Sequence, residues 1–114
     1  MVEERRRANW IGESVTVKGD VVSSADLVID GQVQGTIDLG DHELTIGESA
    51  SVIADLSAKA VVISGKVKGD VVGMVRVELK KTASVEGDVT APKFRMEEGA
   101  ALSGKIDTGD RNRA

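Results

Sequence analysis

A five-residue pattern (apolar, any, small, polar, apolar) recurs along this chain about every 17 residues, and no other feature limits the fold as strongly. Val17-Lys18-Gly19-Asp20-Val21-Val22 returns unchanged as Val67-Lys68-Gly69-Asp70-Val71-Val72. Looser copies are Val33-Gln34-Gly35-Thr36-Ile37, Val52-Ile53-Ala54-Asp55-Leu56, Val85-Glu86-Gly87-Asp88-Val89 and Leu102-Ser103-Gly104-Lys105-Ile106. A second apolar column precedes each copy, at Ile11, Ile29, Ile46, Ile63, Leu79 and Met96, with steps of 18, 17, 17, 16 and 17 residues. A third apolar touch precedes that column in most units, as Leu27-Val28, Leu44, Val61-Val62, Val75-Val77 and Phe94.

Three short apolar touches per unit predict three short strands per coil. Spacing within each touch follows period two, as in Val15/Val17 and Val75/Val77/Leu79, and glycine interrupts nearly every window of 15 residues. One unit cannot bury its apolar side chains alone, whereas stacked units share a core and a ladder of backbone hydrogen bonds. The prediction is an all-β single domain: a parallel β-helix, or solenoid, of about six coils of roughly 17 residues, six rungs at ~4.8 Å giving a rod ~25–30 Å long. The gap between the two main columns switches from six residues (Ile46 to Val52) to four (Ile63 to Val67), which favours the looser right-handed winding over rigid six-residue steps.

Composition agrees. Apolar residues are nearly all Val, Ile, Leu and Ala, with Trp10 and Phe94 as the aromatic residues, a set that fills a thin interior between strands. The small residue in each motif marks a corner, and Ala54, the one departure from glycine, predicts a gentler bend there. The chain divides into a polar N-terminal tail (1–9), the β-helix (10–107) and a polar C-terminal tail (108–114), and both tails are expected to be flexible.

Several function classes lose support. A net charge of −4 argues against generic nucleic-acid binding. No phosphate-cradling G-x-x-x-x-G-K-[ST] or G-x-G-x-x-G string occurs, so no nucleotide is expected. There is no cysteine, and the apolar runs are too short for a spanning helix, so a cytoplasmic protein is expected. His42, the single histidine, sits in the polar stretch Gly40-Asp41-His42-Glu43 and reads as a loop residue. No catalytic residue, cofactor or metal site is predicted. Asp55, Asp70 and Asp88 should stack on consecutive coils as water-exposed corner residues, and Lys80-Lys81 should lie beside Glu97-Glu98.

The rod resembles the bactofilins. The resemblance spans residues 10–107 and rests on G-x-V-x-G-D-V, matched in full by Gly65-Lys66-Val67-Lys68-Gly69-Asp70-Val71. Gly31-Gln32-Val33-Gln34-Gly35-Thr36-Ile37 matches with conservative changes, and Ser84-Val85-Glu86-Gly87-Asp88-Val89 in its second half. It implies a right-handed β-helix that polymerises end to end into nucleotide-independent, non-polar filaments. Such filaments are scaffolds for cell shape and envelope-associated proteins at the inner face of the cell membrane. The family often carries a hydrophobic and basic N-terminal membrane-targeting tail. Here Val2 and Arg5-Arg6-Arg7 are its short counterpart, offset by Glu3-Glu4. Three basic residues, at about 1 kcal/mol each, would hold a membrane weakly.

The residues themselves suggest how a polymer would form. An open β-helix has two raw ends with unpaired backbone groups and half-covered core side chains, and neither terminus here encodes a capping helix. The expected end surfaces are Trp10, Ile11, Val15, Val17 and Val21 on one side and Phe94, Met96, Leu102 and Ile106 on the other. The expected partner is therefore the chain itself. Two other readings stand beside this one. A trimeric hexapeptide-repeat transferase would need His42 at a subunit contact and strict 18-residue coils, and a monomeric solenoid would present one flat face to a protein partner.

Overall fold

A computed structural model describes residues 8–12, 15–22 and 25–107. All regular structure among them is strand, joined into one 13-stranded sheet in which every pairing is parallel. The sheet winds into a β-helix with three faces.

The first face stacks β1 (Ala8–Ile11), β3 (Asp26–Ile29), β5 (Glu43–Ile46), the end of β6 (Ser51–Ile63), the end of β8 (Val71–Leu79) and β11 (Lys93–Met96). The second stacks the first halves of β2 (Thr16–Val22) and β4 (Gln32–Asp38), the start of β6, β7 (Lys66–Lys68), β9 (Ser84–Glu86) and β12 (Ala101–Ser103). The third takes the ends of β2 and β4, the middle of β6, the start of β8, β10 (Val89–Thr90) and β13 (Ile106–Asp107). Each face thus has six rungs, and from first to last the chain makes about five turns, or ~24 Å of rise at ~4.8 Å per rung.

The register pairs the predicted columns. Ile11, Ile29, Ile46, Ile63, Leu79 and Met96 are successive partners on the first face. Side chains alternate in and out along each strand, so one residue in two reaches the interior. The interior holds only apolar side chains: Ile29, Ile46, Ile63 and Leu79 are fully buried, as are Leu44, Val61 and Val77 beside them, and no polar or charged residue is buried among those described. At ~1.5–3 kcal/mol per buried Val, Leu or Ile, these columns are the main favourable contribution to folding.

Corner chemistry follows the motif. Gly87 has φ +139°, and a Cβ there would run into the carbonyl oxygen of Gly69 one rung earlier. Only glycine combines that backbone angle with that approach. At Ala54 no positive φ occurs, and the strand continues unbroken from Ser51 to Ile63.

The uneven spacing between columns has a structural cause. Long corners close with a turn, as in Val15 N–H to Gly12 C=O (3.1 Å) and Ala50 N–H to Gly47 C=O (3.1 Å). Short corners alternate with them and nest on them: Gly65 is buried over the 47–50 turn, where a Cβ would collide with the Gly47 carbonyl oxygen. The last two rungs both have long corners, closed by Ala83 N–H to Lys80 C=O (2.8 Å) and Ala100 N–H to Glu97 C=O (3.0 Å).

Three features differ from the sequence reading. Ala8 and Asn9, placed there in the tail, are ladder residues of β1 paired with Asp26 and Leu27. Val75 is not a core residue. It lies with Met74 in a β-bulge opposite Lys59, since Ala58 pairs with Gly73 but Ala60 with Arg76, and Met74 and Val75 are exposed while Val77 is buried. Trp10 pairs with Val28, on the alternate position to the Ile11–Ile29 column.

Candidate polymerisation surfaces

The two ends of the rod are built from the core columns themselves. On the second face Val33, Val52, Val67 and Val85 are 0–1% exposed, but Val17 before them and Leu102 after them are only half-buried. On the third face Ile37, Leu56, Val71 and Val89 are buried, yet Ile106, the last in that column, is 43% exposed. Ile11, Val21 and Phe94 are likewise half-buried against the core, while Val15 and Met96 are exposed. A residue's place in the stack, not its type, sets this: among the described residues an end rung has a neighbouring rung on one side only.

The expected end residues therefore form two groups at opposite ends. Ile11, Val15, Val17 and Val21 belong to the first rung or its corner, and Phe94, Met96, Leu102 and Ile106 to the last. Trp10 is in the first rung by its register. Two further residues of the terminal rungs escaped the sequence reading. Asn9 holds the first-rung position of the Leu27–Leu44–Val61–Val77–Phe94 column, a polar residue where every later rung is apolar. Ala100 packs against the core beside Leu102. The signal for Asn9 was present in its spacing from Ile11, which matches that of Leu27 from Ile29. Val2 and Arg5-Arg6-Arg7 lie outside the described residues.

The sides of the rod are held by exposed polar links between rungs. Thr36 Oγ1 donates to Asp20 Oδ1 at 2.6 Å, the Asp70 N–H to Asp55 Oδ1 at 3.2 Å, and the Lys105 N–H to Asp88 Oδ1 at 3.3 Å. The aspartates do stack, and Asp20, Asp55 and Asp88 each engage a donor on the next rung, which offsets repulsion between carboxylates. Lys80 Nζ lies 3.5 Å from Glu97 Oε2, and the Lys81 N–H donates to Glu97 Oε1 at 3.2 Å. Arg76 Nη2 reaches Glu43 Oε2 at 3.6 Å past the small Ala60 between their rungs.

His42 sits at the end of the 40–42 turn, partly exposed, with Nδ1 3.7 Å from Asp26 Oδ1, whose closer partner is the Glu43 N–H at 2.9 Å. Among the described residues no three His, Cys, Asp or Glu side chains are grouped as a metal site, and no helix is long and apolar enough to cross a membrane.

Comparison with known proteins gives a consistent result. Residues 9–107 match the family model described as "Bactofilin: Polymer-forming cytoskeletal". Bactofilin BacO of Myxococcus xanthus (strain DK1622) is 38% identical over 97 residues, covering 85% of this chain and 76% of that protein. Bactofilin BacP of the same organism is 31% identical over 100 residues, 88% of this chain but 41% of the longer relative. No solved structure matches. With an all-parallel solenoid and a family match over nearly all of its ladder, this chain belongs to the bactofilin family of polymer-forming cytoskeletal proteins.

Proposed function

We propose that this chain polymerises end to end, rung against rung, into filaments that need no nucleotide and act as a structural scaffold. The observation that carries this reading is the contrast between fully buried interior columns and their uncovered end members, Met96 and Ile106 above all. An end-to-end joint would cover those side chains and extend the backbone ladder, removing both liabilities of an open strand edge. Each added chain leaves another open end of the same construction, so growth has no built-in stop.

The scaffold serves cell shape and envelope-associated proteins on the cytoplasmic side of the membrane, with the chain itself as first partner. Membrane contact, where it occurs, falls to Val2 and Arg5-Arg6-Arg7, and Glu3-Glu4 keep it weak. The test is negative-stain electron microscopy of the purified chain at several concentrations, without nucleotide or metal. Filaments a few nanometres wide that lengthen with concentration are expected. Compact particles at every concentration would sink the proposal.

A further inference from the structure

Two of the three faces carry opposite charge. On the solvent side of the third face stand Asp20, Asp38, Asp55, Asp70 and Asp88, with Asp107 closing the row; the described cations are Lys105 in the last rung and Lys59 at the edge of the face. On the second face the charged solvent-side residues are Lys18, Lys66, Lys68 and a single glutamate, Glu86. No described residue forms an ion pair with Lys18, Lys66 or Lys68. Lys18 pairs in register with Gln34, and Lys66 with Ser51 and Ser84, all neutral, whereas Lys68 stands between Ile53 and Glu86.

Each of the two faces also carries a shallow depression with an exposed apolar residue in it or at its rim. A shallow depression of about 390 Å³ on the second face is lined by Ser51, Ile53, Lys66, Lys68, Ser84 and Glu86, with Ile53 half exposed. One of about 380 Å³ on the third face is lined by Asp38, Asp55, Ser57, Asp70 and Val72, with Val72 more than a third exposed. The third-face depression thus sets Val72 among aspartates alone, and the second-face one sets Ile53 beside two lysines and one glutamate, an excess of positive charge.

We infer that the lysine face of one filament docks laterally on the aspartate face of another, so that the occupant of each face is a second copy of this chain. The inference rests on the filament reading above. A single exposed ion pair contributes about 0–1 kcal/mol, so two isolated rods would hold poorly. Repetition along two filaments links many such contacts, and avidity makes the sum effective. The contact joins unlike faces, so a docked pair still presents one free face of each kind and lateral growth continues.

Sedimentation at two speeds separates the levels of assembly, with low speed collecting bundles and high speed single filaments. Wild-type filaments are expected to bundle at low salt and to disperse into single filaments at ~1 M salt, where the screening length is ~3 Å. Lys66→Glu/Lys68→Glu and Asp38→Lys/Asp70→Lys should each keep the high-speed pellet and lose the low-speed one. Mixing the two sets of preformed filaments should restore bundling, because each retains the face the other has lost. The aspartate variant moves the net charge from −4 to 0 (−4 + 4 = 0), so attraction governed by net charge alone would make it bundle more. Bundling of that variant at or above the wild-type level overturns the lateral contact while leaving filaments standing. Absence of any wild-type high-speed pellet overturns the filament reading and this inference with it.

Discussion

Met96 pairs with Leu79 in parallel register, one rung further along the same column, and the two differ in burial from 41% exposed to none. Leu79 is covered by a rung on each side, whereas Met96 has only the one before it. In the proposed filament that missing cover comes from another copy.

Alanine at these two positions should therefore act on different equilibria. Leu79→Ala opens a cavity in a closed core and should cost about 2–5 kcal/mol of folding stability. Met96→Ala should change the melting temperature of the unassembled chain little and raise the concentration needed for filaments. Thermal denaturation and pelleting assays read the two effects separately.

A charge on the end surface should block assembly without unfolding the rod. Phe94→Arg and Leu102→Arg each place a guanidinium where the joint would have to bury it, at a cost of several kcal/mol for an unpaired ion. Filaments should disappear while the β-sheet circular dichroism signal stays. Filaments of unchanged length in both variants would rule out this end as the joint.

The corner positions should rank by backbone angle. Gly87→Ala forces a side chain into positive φ and against the Gly69 carbonyl, and should destabilise by at least ~1–3 kcal/mol. Ala54→Gly, at a corner that needs no positive φ, should cost only ~0.5–1 kcal/mol through added chain entropy. At ~4–8 °C per kcal/mol for a domain of this size, the two melting temperatures should separate clearly.

The aspartate row gives an electrostatic prediction. Asp88→Asn keeps an acceptor for the Lys105 N–H and removes one charge from the row, so stability should hold or rise slightly. Asp88→Ala loses the acceptor and should cost up to ~0.5–1.5 kcal/mol. Urea titrations of the pair separate the hydrogen bond from the charge.

Much of the fold was legible in the sequence because burial imposes a period on it. Val17, Val33, Val52, Val67, Val85 and Leu102 announce their column by spacing, and the ladder pairs them in that order. Val75 was misread because a bulge shifts the alternation by one residue, and period two carries no mark of that shift. Ala8 and Asn9 were missed because neither adds hydrophobicity, while their pairing depends on β3, some 18 residues away. Alternation of long and short corners was visible as irregular spacing, but its cause, Gly65 nesting on the 47–50 turn, is a contact between distant residues.

The candidate surfaces divide in the same way. The sequence by itself determined that this chain stacks rungs and which residues fill the columns. It did so because apolar periodicity and glycine corners are local properties of the chain. Only the tertiary structure decided which members of identical columns stay uncovered, and that the lysines and aspartates sort onto separate faces. Cover and charge segregation depend on what lies on the neighbouring rung, and register across the whole solenoid sets that.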